Sequence, residues 1–367
     1  MPGLSKVCLF YLYYFNEFLK LILAFTPTNT VWGHNAGSKI YYTGGTIPNG
    51  TIWKDVKDFS YTPSQYATQS KEYYYLDVSA PFKINEAITS WVDLSSVSII
   101  PPHSWSAFSL CGLKNSTLVM FGGDFGKPTP ANLVFTYNTT TLQWNNPVTP
   151  SQPLNKVTRS VCDFRTGKMY MFSVTLNTVN ASMNIFDTES LTWGVGSLIG
   201  APSGRFDYTA TLLPNGNIVY IGGVDSSGAV NLLTIPLYDI NGNIWSSKTT
   251  TGYLPTPRGY HSSVLTKDGH IIVYGGYVDR NTLVPVTDDL VVLDTEGSTF
   301  TWSKANVSTL SPPSRCYHSA TLVDYYMIVA FGRNDLYLPS LTMNEVYILN
   351  KVTNLITSGL MNLNLLI

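Results

Sequence analysis

Charge is scarce in this chain. Only 12% of the 367 residues are Asp, Glu, Lys or Arg, and the net charge is −1. A nucleic-acid binder needs a basic stripe to meet the phosphate backbone, and nothing here could form one. The lack of charge runs also removes the mark of a solvated interaction tail. Cysteine is scarce as well: Cys8, Cys111, Cys162 and Cys316 form no Cys-x-x-Cys pair, which leaves a zinc site without support. They lie far apart in sequence, with Cys111 and Cys162 at first-strand positions of neighbouring units, and they read as buried free thiols in preference to a disulfide, since free Cys behaves as a small core residue. No Gly-x-Ser-x-Gly elbow and no phosphate-binding loop is present. No uninterrupted apolar run approaches the roughly 20 residues of a membrane span.

What the chain has is repetition. Pro257-Arg258-Gly259-Tyr260-His261 leads to Ile271-Ile272-Val273-Tyr274-Gly275-Gly276, then to Asp289-Leu290-Val291-Val292-Leu293-Asp294, then to Trp302. The order returns in Arg315-Cys316-Tyr317-His318, Met327–Gly332 and Glu345–Asn350, and earlier in Arg205–Tyr208, Ile218–Gly223, Leu237–Asp239 and Trp245. Trp91, Trp144, Trp193, Trp245 and Trp302 mark the units, with Ile356 in the last equivalent place. Successive intervals are 53, 49, 52, 57 and 54 residues. Six units therefore fill about residues 34 to 357.

Each unit reads as four short strands. The apolar runs are short, rich in Val, Ile, Tyr and Leu, and bounded by Gly, Pro, Asn and Asp. A four-stranded sheet cannot cover both of its own faces. Sheets stacked in a circle cover one another, so the expectation is an all-β, six-bladed propeller of antiparallel blades. Aromatics, at 13%, suit the space between blades. The double glycine at the end of the second strand marks a tight turn or a close backbone approach.

The glycine pair, the aliphatic or Tyr run ending in Asp or Asn, and the Trp about six residues later resemble the kelch repeat. Some units depart from it. Unit three has Ser173-Val174 instead of the glycines, unit six reads as Gly332-Arg333 at that place, and unit one has Trp32-Gly33-His34 where Arg-x-x-His is expected. Trp32 either begins blade one or belongs to a strand that clasps the last blade.

The resemblance brings one chemistry to test. Kelch propellers include copper-radical oxidases of the galactose-oxidase kind, which hold copper with Tyr and His, and Tyr260-His261 and Tyr317-His318 offer those side chains. Both pairs occupy the same repeat position, beginning two residues after an Arg, which spreads them around a ring. Arg159, Arg205, Arg258 and Arg315 are read as one recurring position whose side chains, with the His, bond loops or carbonyls between blades. Asp124, Asp225, Asp279 and Asp335 follow the glycine-ended strands and read as turn caps instead of a carboxylate pair for glycoside hydrolysis. No cofactor and no metal site is expected.

A binding surface remains. Loops after the glycine-ended strands should gather on one face, and Phe125, Lys127, Tyr277, Asp279, Arg280, Arg333, Asn334, Asp335 and Tyr337 are its candidate contact residues. The expected function is a non-catalytic interaction scaffold for a protein or glycan partner. Its rivals are a copper-radical oxidase and a cytosolic kelch scaffold of a polarity or ubiquitin-ligase assembly.

Three parts are expected: residues 1–26, a signal peptide or hydrophobic segment; 27–358, the propeller; and 359–367, a tail. A basic start and broken apolar runs favour secretion or a place at the cell surface, with the cytoplasm as the alternative. Any membrane contact would run through this first segment, if it is uncleaved. The sequons at Asn49, Asn115, Asn138, Asn180 and Asn306 add little, because a chain this rich in Asn, Ser and Thr produces them by chance.

Overall fold

The computed structural model describes residues 14–15, 18–19, 21–22, 32–36, 38–48, 67–79, 91–126, 128–153, 159–174, 181–278, 285–305, 314–324, 326–334, 341–342 and 345–349. They form six blades in chain order, each a four-stranded antiparallel sheet, with Thr251–Gly252 added in parallel to the outer strand of blade five, and without a helix among them. Blade two shows the pattern: Ala107–Cys111, Thr117–Phe121, Val134–Asn138 and Gln143–Asn145 pair in sequence order. The first strand of every blade touches the first strands of both neighbours, and blade six meets blade one, so the ring closes on six. The expected propeller is the observed fold.

Local sequence explains each blade. Second strands such as Asn217–Ile221 and His270–Tyr274 are almost wholly buried between sheets and run in continuous apolar residues. In blades one to five the Trp of the outer strand stands opposite the penultimate residue of the third: Trp91 on Leu76, Trp144 on Tyr137, Trp193 on Phe186, Trp245 on Tyr238 and Trp302 on Leu293. The Asp or Asn that follows caps the turn into the outer strand. Asn138 Oδ1 accepts from the Thr140 and Thr141 amides, and Asp187 Oδ1 from those of Glu189 and Ser190.

The indoles then cross to the preceding blade. Trp193 lies 4.5 Å from Phe121, Trp245 4.8 Å from Phe172, and Trp144 5.0 Å from Tyr73, ring centre to ring centre.

Three points of the sequence are settled or change. Trp32–Ala36 is the first strand of blade one, whereas Leu21–Ile22 pair with Val346 and Glu345 as the outer strand of blade six. Cys111 and Cys162 form a disulfide between the first strands of blades two and three, with 5.5 Å between Cα atoms, so they are not free thiols. Neighbouring first strands bring together residues 51 apart in sequence. Cys316 is buried, as expected, and takes no part in this disulfide, and Cys8 lies outside the described residues.

The third point concerns blade six. Its glycine pair is Phe331-Gly332, with φ of 64° and 93°, matching 68° and 101° at Gly275 and Gly276. Phe331 fills the closing gap of the ring, edge-on to Tyr42 of blade one at 5.3 Å. In blade three, where both glycines are missing, the second strand does not stop; it pairs on through Ser173 and Val174.

Candidate functional site

The site is built from the joints between blades. The second glycine donates its amide to a carbonyl of the next blade: Gly223 to Arg258 and Gly276 to Arg315, both at 2.9 Å. The arginine that supplies that carbonyl turns its guanidinium back onto its own blade. Nη1 of Arg205, Arg258 and Arg315 bonds the carbonyl of Gly222, Gly275 and Phe331 at 3.4, 3.2 and 3.1 Å. Three residues on, the side chain reaches to the previous blade. His261 Nε2 lies 3.1 Å from Thr209 Oγ1, and His318 Nε2 2.6 Å from Ser262 Oγ. Tyr208 takes the same part by donating to the Phe172 carbonyl.

Burial holds His261 and His318 neutral, pushing both well below the ordinary imidazole value, helped by the guanidiniums of Arg258 and Arg315 respectively. The two rings serve successive joints and do not converge on one centre, as the recurring position implied.

The lead-in segments add an inner rim on the same face. Trp105, Asp207, Tyr260 and Tyr317 occupy one repeat position with φ between 56° and 60°, a left-handed conformation unusual for such residues. Backbone bonds link the rim: Tyr260 N donates to Asp207 O at 3.0 Å and Tyr317 N to Tyr260 O at 3.2 Å. The rings of Tyr260 and Tyr317 lie 4.5 Å apart. Trp105, Asp207 and Tyr317 remain half-exposed. This rim escaped the sequence reading; its signal was the residue before each His261-type position.

Arg159 is not part of the arginine series. Strand pairing places Val161 opposite Tyr170, which sets Arg159 four residues further along than Arg258, at the level of Ser262 in the first strand. Its Nη2 reaches the His261 carbonyl of blade five at 3.4 Å. Burial lowers its pKa to about 10, against the pull of Asp207 and Tyr208. The structural counterpart of Arg258 in blade two is His103, whose Nδ1 bonds the Pro101 carbonyl at 2.9 Å.

Of the candidate contact residues, Phe125 and Tyr277 are buried, at 7% and 1% exposure, and support the loops from beneath. Tyr277 bridges both Gly259 and Pro285. Arg333 and Asn334 begin a small hairpin with Leu341–Thr342 after the glycine position. Lys127, Asp279, Arg280, Asp335 and Tyr337 lie outside the described residues. Similar hairpins follow the glycines in blade one, Thr46–Pro48 with Ala67–Gln69, and blade four, Val224–Asp225 with Gly228–Ala229. Asp124 and Asp225 cap their loops as expected, accepting from the Gly126 and Ser227 amides at 2.9 and 2.8 Å; Asp279 and Asp335 are outside the described residues. Asp288, which sequence reasoning missed, pairs with buried Arg258 at 2.6 Å. Among the described residues no group of three or more His, Cys, Asp or Glu is placed to hold a metal ion.

Six repeated blades in a closed ring, with glycine amides of two joints bonded to the next blade's arginine carbonyl, define a kelch-type β-propeller. The chain belongs to the KLHDC2/KLHL20/DRC7 kelch-repeats domain family, which matches residues 30–276 and 227–359. It is 31% identical over 177 residues to Kelch domain-containing protein 3 of Bos taurus, covering 45% of this chain and 44% of that protein; for the Homo sapiens protein the identity is 29%. Host cell factor 1 of Rattus norvegicus is 27% identical over 258 residues, 63% of this chain and 12% of that protein. The chain thus spans less than half the length of these relatives.

Proposed function

We propose that this propeller is a non-catalytic interaction scaffold that grips a protein partner with one face, and that it does so outside the cell or at its surface. The observation that carries the reading is the division of labour at the joints. The side chains that could do chemistry are taken up by the ring itself, Arg205, Arg258 and Arg315 on carbonyls of their own blades and His261 and His318 on the previous blade, while the glycine-ended strands send hairpins to a single face around the half-exposed inner rim. Such loops, held by a rigid ring, are where binding residues concentrate. Lys127, Asp279, Arg280, Arg333, Asn334, Asp335 and Tyr337 are the proposed contacts, together with Trp105, Asp207 and Tyr317 of the rim. The kelch relatives support a protein partner in general. A disulfide in the first strands supports an oxidising compartment.

The test compares two charge-reversed forms of the full chain as bait in crosslinked affinity capture. One carries R280E and R333E on the loop face; the other carries K114E and K267E on turns at the opposite end of the blades. Both should keep the wild-type melting temperature. Loss of a reproducible partner with the first pair alone supports the reading. A partner retained by the first pair and lost with the second overturns the choice of face.

A further inference from the structure

We infer that Asn115 is an N-glycosylation site and that its glycan stands on the face opposite the binding loops. The inference rests on the extracellular reading above. Asn115-Ser116-Thr117 forms the turn between the first and second strands of blade two. Leu113, Lys114 and Asn115 are all exposed there, and Asn115 has a φ of 48°, a conformation that Asn tolerates better than most residues. A branched sugar on this side chain would meet solvent.

Position distinguishes this sequon from one that merely matches the pattern. Thr117, its hydroxyl residue, pairs with Cys111 on one side and with Asn138 on the other. One end of blade two therefore carries the disulfide, the Asn115 sequon and a second sequon at Asn138. Disulfides persist where the chain is exposed to an oxidising lumen, the same compartment in which Asn-x-Ser/Thr is modified. Asn138 differs in its setting: its Oδ1 accepts two backbone amides of its own turn at 2.9 Å, and the residue is half-buried. The chain reverses at this end before each second strand returns to its glycine pair, so a glycan here leaves the hairpin face clear. Glycans are bulky and solubilising, which suits a scaffold that needs one open face and one inert face.

The experiment expresses the full chain in secreting eukaryotic cells, once with its own N-terminus and once behind a foreign leader. Peptide-N-glycosidase in ¹⁸O water followed by peptide mass spectrometry reads residue 115 directly. The expected result is a labelled Asp at 115 in both forms, and loss of one glycan's mobility shift in N115D, a substitution that suits the same backbone conformation. The shift from Asn115 should persist in N138D. An unmodified Asn115 in chains secreted behind the foreign leader overturns the site itself. Modification behind the foreign leader but not with the native N-terminus overturns the extracellular reading on which the site depends.

Discussion

The Gly276 amide and the Arg315 carbonyl meet at 2.9 Å across the gap between blades five and six, and this contact requires the glycine before it to have no side chain. A Cβ on Gly275 would strike the same Arg315 carbonyl and come within 2.9 Å of the His318 ring. Gly275 also has a φ of 68°. G275A should therefore cost more than the about 1–2 kcal/mol of a left-handed L-residue. G297A is the control, because Gly297 has a φ of 77° with nothing within 4 Å of its Cβ position. Urea unfolding of both variants should show G275A less stable by at least about 2 kcal/mol more, as backbone overlap adds to the conformational term.

Acid should loosen the joints. Burial lowers the His103 pKa to about 4, and His261 and His318 are held well below the ordinary value of 6.5 by burial and by nearby arginines. On unfolding each imidazole regains its ordinary value, so the unfolded chain takes up protons that the folded chain refuses. Stability is then complete above pH 6.5 and is lost as pH falls, down to about pH 4 in the case of His103. Each histidine contributes a slope of up to about 1.4 kcal/mol per pH unit within its window. Melting between pH 7 and pH 5 should show a steep fall. H318Q should melt lower at pH 7 but with a shallower pH dependence.

The parts legible in the sequence were those that recur. The glycine pair, the capping Asp or Asn and the Trp each perform the same task in several blades, so period alone exposed the ring. Features that occur once stayed hidden. Cys111 and Cys162 could be placed in neighbouring first strands, but that they face one another depends on how whole blades meet. Arg159 mimics the recurring arginine by spacing, yet the pairing of Val161 with Tyr170 moves it one turn of pattern further. Leu21–Ile22 supply the closing strand from within an apolar stretch that reads equally well as a leader. For the site, repeat position located the loop face, but not the burial of Phe125 and Tyr277, which depends on bridges across the loop bases.

Asp288 answers the charge of Arg258 inside the protein. The side chains are 1% and 0% exposed, and Asp288 also accepts from the Thr256 amide at 2.9 Å and the Tyr253 hydroxyl at 3.1 Å. Burial pulls the Arg258 pKa down while Asp288 opposes it. D288A leaves a buried guanidinium unpaired and should cost about 3–5 kcal/mol, whereas the apolar double variant R258M/D288L should recover part of that loss. A double-mutant cycle in urea measures the coupling; additive losses would count against it.

The outer strand of blade six comes from the other end of the sequence. Leu21–Ile22 pair with Glu345–Val346, so deleting residues 1–26 should leave one edge of Glu345–Leu349 unpaired. Hydrogen exchange should then accelerate at residues 345–349 while blades two to five keep their protection. Unchanged exchange there would mean that the pairing contributes nothing to closure.

The disulfide ties a joint that lacks the arginine series. Where blades four to six use Arg, His and the glycine pair, the first strands of blades two and three meet through Cys111–Cys162 and a 2.7 Å contact between the Ser109 and Ser160 hydroxyls. The bridge closes a loop with a sequence separation of 51, for which chain entropy predicts a stabilisation of up to about 4 kcal/mol. C111S/C162S and the reduced wild type should therefore melt several degrees lower than the oxidised protein, and by similar amounts, because both lose the same constraint on the unfolded chain. Free-thiol titration of the unfolded, unreduced protein decides whether the bond exists: Cys111 and Cys162 should resist alkylation until a reductant is added, while Cys316 reacts at once.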